Sequence, residues 1–207
     1  MAADIWPTVH AERQALADDL AGLTPEQWEA ASLSAGWTVH DVLAHLLVLA
    51  GMTPFKFVTQ FAGSGFNFAR YADRGIAREK RPDPAQTLAA FREAQGRTSA
   101  PPGPPETWIG EHLVHGEDIR RPLGITRSYP MDAVLRTLDF YQGSQPIIGG
   151  RDRVAGLTLK ATDADHSVGT GPEVTGPALD LVLAATGRPA GWTTLSGPGL
   201  ETLKSRA

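Results

Sequence analysis

Cysteine is missing from all 207 residues of the chain. That absence excludes disulfides, thiolate metal sites and a protein thiol nucleophile together, so any bound metal must be held by nitrogen and oxygen. A large excess of charge of one sign is also absent, with 19 basic against 23 acidic residues. A net charge of -4 with no long basic run argues against nucleic acid and anionic membrane as partners. No apolar run is long enough to span a bilayer. The N-terminal stretch Met1-Ala-Ala-Asp-Ile-Trp-Pro7 has neither the basic start nor the apolar core of a signal peptide, so a cytoplasmic location is expected. Internal repeats and low-complexity tracts are lacking too. What remains is an ordinary globular composition, long enough for one large domain or a medium one with a small partner.

Helical signals run as far as Gly143. Residues 8–22 place Val9, Leu16 and Leu20 near one face, and Gly22 closes the helix. Thr24-Pro-Glu-Gln27 is a compact helix start of cap, proline and glutamine. Thr38 and Asp41 predict a capping box, with Trp37 and Val42 spaced as a hydrophobic staple. The helix they open, to Ala50, is apolar nearly all round, as the central helix of a bundle is. Pro54 predicts a kink or a restart. Gly63-Ser-Gly-Phe-Asn-Phe68 is a glycine-bearing turn suited to packing or to a pocket wall. Residues 69–80 and 83–94 predict further helices. The proline-rich loop 100–105 leads into a helix around residues 108–121, stopped by Pro122 and Gly124, and residues 130–143 predict one more.

Composition changes after Gly143. Residues 145–150 read as a linker, 156–162 alternate as a strand, and 166–171 with 173–175 read as a paired strand. Residues 176–187 predict a helix and 192–203 a shorter one. The expected architecture is mainly α: a helical bundle over 1–145, then a small α+β domain over 151–207.

The helix at 108–121 concentrates the titratable groups. Glu111 and His115 are four apart and share a face, with Asp118 three further on. An imidazole and a carboxylate one turn apart can grip one divalent cation. His112 and His115 are also at ligand spacing, and periodicity alone does not choose between the pairs. His45 is the single titratable side chain in the apolar run from Val42 to Ala50. It needs a polar partner, since burying an unpaired imidazole nitrogen costs about 1–3 kcal/mol. A core hydrogen bond satisfies that need, and so does a metal; spacing favours the hydrogen bond. His10 is expected to be solvated or packed, and His40 exposed. Arg120 and Arg121 have the chemistry to bind a ligand carboxylate bidentately or, at a helix end, to complement the dipole. Asp118 is placed either to orient a ligand imidazole or to pair with an arginine.

Two motifs, Gly36-Trp-Thr-Val-His-Asp-Val-Leu-Ala-His45 and Glu111-x-x-x-His115-Gly-Glu-Asp-Ile-Arg-Arg-Pro-Leu-Gly124, together resemble the mycothiol-dependent maleylpyruvate isomerase family of the DinB-like superfamily. The tail segments Leu159-x-Ala-Thr-Asp163, Gly169-x-Gly-Pro-Glu-Val-x-Gly-Pro177 and Thr186-Gly-Arg188 resemble that family's C-terminal domain. The resemblance implies a DinB-like up-down-down-up four-helix bundle followed by the small α+β domain. It implies a divalent metal, zinc being the expected ion, on His45, Glu111 and His115, with His112 a bystander. Mycothiol is the implied cofactor, with Arg120, Arg121 and Arg188 as candidates for its binding. The implied reaction is cis–trans isomerisation of a maleylpyruvate-like substrate or S-transfer to a small electrophile. A hydrolase using metal-bound water and a non-catalytic metal- or thiol-binding module are the alternatives. The expected partners are a small electrophile and a thiol, acting on a monomer or weak dimer.

Overall fold

Caps and apolar faces written into the sequence set out the helices of the computed structural model, which describes residues 4–100, 103–143 and 150–206. Of the linker expected over 145–150, residues 145–149 lie outside the described residues, and Gly150 begins a short helix. The chain divides into two units, Met1–Arg127 and Ser128–Ala207.

The first unit contains α1 (Trp6–Asp19), α2 (Pro25–Trp28), α3 (Val39–Ala50), α4 (Pro54–Gly63), α5 (Phe68–Glu79), α6 (Pro84–Glu93) and α7 (Glu106–Arg120). Helices α1, α7, α3 and α6 touch in a closed ring, α1 on α7, α7 on α3, α3 on α6 and α6 on α1. They form the up-down-down-up four-helix bundle. The Thr38–Asp41 capping box is present at the start of α3, and every residue of α3 except Asp41 is buried. Its all-round apolar sequence follows from that position. Val42, Leu43 and Leu46 have no exposed surface, and each such burial is worth roughly 1.5–3 kcal/mol.

Helix α5 lies along α3, so close that a Cβ on Gly75 would stand 3.3 Å from the Val48 methyls. Pro54 restarts the chain rather than kinking it: the Thr53 hydroxyl caps α4 by accepting from the Lys56 N–H. No residue of α4 is buried. Its Phe57 and Phe61 pack partly onto Val48, Met52 and Tyr71, while Phe55 is 78% exposed.

His40 differs from expectation. It is buried, with Nε2 2.9 Å from the Thr87 hydroxyl and the ring edge-on to Trp28. Burial, followed by the Lys80 charge, pushes its pKa down. The first turn of α3 faces α6 here, which the position of His40 at a helix start did not reveal.

The second unit contains α8 (Met131–Gly143), α9 (Gly150–Val154), β1 (Thr158–Ala161), β2 (Ser167–Gly169), β3 (Glu173–Gly176), α10 (Ala178–Ala185), a 3-10 turn over Pro189–Thr194 and α11 (Leu200–Lys204). Helix α8 buries Ala133, Val134, Leu138 and Tyr141 and packs on α10. These contacts group α8 with the second compact unit. An amphipathic stripe says that a helix needs a partner without saying which one. In the sheet β1 is central, antiparallel to β2 with Leu159 opposite Val168, and parallel to β3 with Leu159 opposite Val174. The segments 166–171 and 173–175 therefore flank β1 instead of pairing with each other. Gly171 (φ +130°) makes that crossing possible, because a Cβ there would collide with the Gly156 carbonyl oxygen.

Candidate metal centre

Two neighbouring helices of the bundle bring the candidate ligands together. His45 projects from α3, and Glu111 and His115 from α7 one turn apart. One donor atom from each lies within 4.8 Å of the others. The Glu111 Oε2 atom is the hinge of the group, 3.5 Å from His45 Nε2 and 3.2 Å from His115 Nε2. It is buried and makes no aligned hydrogen bond. A buried carboxylate oxygen without a hydrogen bond is costly, and a cation between it and the two ring nitrogens would satisfy all three lone pairs. Two histidines and a carboxylate suit zinc or a similar divalent ion and leave coordination positions for a further ligand. The residues present fit such an ion.

The electrostatics agree with a shared site. Burial alone would raise the Glu111 carboxyl, but the adjacent imidazoles of His115 and His45 outweigh it and hold it well below the usual carboxylate range. Burial, the largest influence on His45, pushes its pKa down, against the pull of Glu111. His115 is also pushed down by burial, yet Asp118 and Glu111 together lift it to about 9. These carboxylates favour a proton on His115, so a metal binding at its Nε2 competes with that proton.

The surroundings are built from residues near in space and far in sequence. His115 Nδ1 is 2.8 Å from Asp118 Oδ2, and the same oxygen accepts from the Ser34 hydroxyl at 2.8 Å. Trp37 lies against the rings of His45 and His115, with centroids 5.1 and 6.1 Å away. The sequence reading used Trp37 as a helix staple and did not include Ser34. Asp118 is 84 residues from Ser34, and no spacing rule joins them.

Other candidates stand apart from the cluster. His112 is buried, its Nδ1 donating to the Trp108 carbonyl at 2.7 Å and its Nε2 accepting from Arg13 Nε at 3.0 Å. Both nitrogens are used in the core, apart from the group formed by His45, Glu111 and His115. Arg120 is fully buried with its Nε 2.7 Å from Asp19 Oδ2, and Arg121 Nε donates to Glu117 Oε2 at 2.8 Å. Arg120 and Arg121, the residues expected to bind a ligand carboxylate, each meet an acidic side chain of the chain itself. Facing inward from the last turn of α7, Arg120 has its charge engaged by the chain's own acid, and Arg121 pairs one turn back. Arg188 belongs to the second unit, where its Nη1 donates to the Thr186 carbonyl.

Comparison with known proteins adds to this geometry. A family model described as the mycothiol maleylpyruvate isomerase N-terminal domain matches residues 9–140, more than half of the chain. Two solved structures share the fold, one of the mycothiol-dependent maleylpyruvate isomerase and one of a histidine-to-alanine variant of it. Each is 14% identical with a TM-score of 0.66, over 93% of this chain and 91% of the other. No curated protein gives a match.

Proposed function

Because this chain belongs to the mycothiol maleylpyruvate isomerase N-terminal domain family, we propose that it isomerises a maleylpyruvate-like cis alkene, with mycothiol as nucleophilic cofactor and a divalent metal, zinc foremost, on His45, Glu111 and His115. The observation that carries the reading is the convergence of His45 Nε2, Glu111 Oε2 and His115 Nε2 from two helices, with Glu111 Oε2 buried and lacking a hydrogen bond.

When bound, the metal supplies positive charge that deprotonates an incoming thiol at neutral pH. The chain's residues supply the rest. Glu111 contributes one negative charge, and two neutral imidazoles add none. Trp37 packs its ring against those of His45 and His115 and adds an apolar wall on that side. With no cysteine in the chain, the sulfur comes from outside. In the proposed reaction the thiol sulfur adds to the double bond, the resulting single bond rotates, and elimination returns the thiol and leaves the trans product. Arg188, outside the metal cluster, remains in this reading as a candidate contact for the thiol cofactor.

The test mixes zinc-loaded protein with maleylpyruvate, with and without mycothiol, and follows the cis and trans isomers by proton NMR. Isomerisation requiring both metal and thiol is expected. Thiol-independent hydrolysis would overturn the reading in favour of a metal hydrolase, and a stable thioether product would favour S-transfer. A preference for glutathione would keep the chemistry and change the named thiol.

A further inference from the structure

We propose that Ser34 and Asp118 form a positioning relay that fixes the ring of His115 with its proton on Nδ1, so that Nε2 is presented to a metal at the His45–Glu111–His115 cluster. The inference rests on the metal reading above and concerns what holds the ligand rather than what the ligand binds.

Asp118 sits one turn beyond His115 on α7 and has no exposed surface. An ionised carboxylate only accepts. With Asp118 Oδ2 at 2.8 Å, His115 Nδ1 must carry a hydrogen. The in-plane lone pair of neutral His115 then lies on Nε2, the nitrogen 3.2 Å from Glu111 Oε2. Hydrogen bonds of this kind fix both the tautomer and the orientation of a ligating histidine.

A carboxylate can orient an imidazole only if it is itself held, and the loop between α2 and α3 holds Asp118 at both its carboxylate and its backbone. The Ser34 hydroxyl donates to the same Oδ2 atom, and the Leu33 N–H donates to the Asp118 backbone carbonyl at 3.1 Å. The loop is closed on itself, since the Ser32 N–H and hydroxyl both donate to the Trp37 carbonyl, at 2.9 and 2.8 Å. Its last residue, Trp37, lies on the rings of His45 and His115. Residues 32–37 thus grip one ligand from behind through Asp118 and both ligands from the side through Trp37. That convergence on a single imidazole distinguishes the arrangement from a helix-surface ion pair, whose carboxylate is left to solvent.

The experiment uses the full chain and zinc as probe. Zinc affinity is measured by competition with a chromophoric chelator, and the ring nitrogens of His115 are observed by 15N NMR in the zinc-loaded protein. Asp118→Ala is expected to weaken zinc binding about 10–100-fold. Asp118→Asn should fall between it and the wild type, because an amide oxygen still accepts from Nδ1 but carries no charge. Ser34→Ala should weaken binding less than Asp118→Ala does. The wild-type spectrum should show Nδ1 protonated and Nε2 metal-bound, and Asp118→Ala should lose that single pattern, which a purely structural aspartate would leave unmoved. Because Asp118 is buried, its alanine variant risks misfolding; Asp118→Asn and Ser34→Ala then decide the matter. Folded Asp118→Asn and Ser34→Ala proteins that bind zinc as tightly as wild type, with the same ring pattern, would overturn the relay and leave the metal reading intact. Absence of zinc binding by the wild type would overturn both.

Discussion

Arg13 Nε donates to His112 Nε2 across 3.0 Å in the buried seam between α1 and α7, so a guanidinium rests on a neutral imidazole. The same arginine donates through Nη1 to the Arg97 and Gln95 carbonyls, at 2.8 and 3.2 Å. Helix α1 is tied in this way to α7 and to the segment that follows α6. Truncating His112 removes the acceptor for a buried charged donor, at a cost of about 1–3 kcal/mol. His112→Ala is therefore expected to lower the urea midpoint while keeping stoichiometric zinc by elemental analysis.

The same contact gives stability a pH dependence of known sign. Burial first, then Arg13, lowers the His112 pKa to about 3, against about 6.5 in an unfolded chain. Between these values the unfolded chain takes up a proton that the folded chain refuses. The contribution of His112 is complete above about pH 6.5 and is lost as pH falls toward 3. In metal-free protein, His112→Gln should lose stability less steeply than wild type between pH 7 and pH 5 in urea titrations. Comparing the two proteins cancels the opposite slope from His115, whose raised pKa favours folding at low pH.

Ligand substitutions test the cluster directly. His45→Ala and Glu111→Ala should each abolish stoichiometric zinc after dialysis, measured by elemental analysis on folded protein. Full occupancy in either variant would remove that residue from the ligand set.

We propose that the two units are separable domains whose boundary precedes α8. A fragment of residues 1–127 should fold and bind zinc, since all three ligands lie within it. Ending instead at Gly143 leaves the apolar face of α8 without α10, and that longer fragment should aggregate more readily in light scattering. The opposite order of solubility would place α8 with the bundle.

Much of the first unit was legible because its determinants are local. The Thr38–Asp41 box, the Thr24–Gln27 box and the Asp83 cap each lie within three residues of their partners. The shared face of Glu111 and His115 follows from helical spacing, and the expectation that His45 would lie beside them came from the family resemblance. What stayed hidden depended on contacts across the fold. His40 meets Thr87 over 47 residues, and His112 meets Arg13 over 99. No periodicity distinguishes a histidine satisfied in the core from one free to bind a ligand. The sheet was misread for a related reason: β2 and β3 are adjacent in sequence, yet their hydrogen bonds go to β1 on opposite sides.

Helix α4, with no buried residue, has its backbone hydrogen bonds held by little beyond the helix itself and the Phe57 and Phe61 contacts. Its amides can exchange with solvent deuterium through brief local openings, whereas those of α3 must wait for the bundle to come apart. A deuterium-uptake time course should therefore separate the two helices by orders of magnitude, although only three residues lie between them. The candidate ligand His45 sits on the slow side of that boundary, so the candidate metal centre belongs to the last part of the first unit to open, directly beside one of the first.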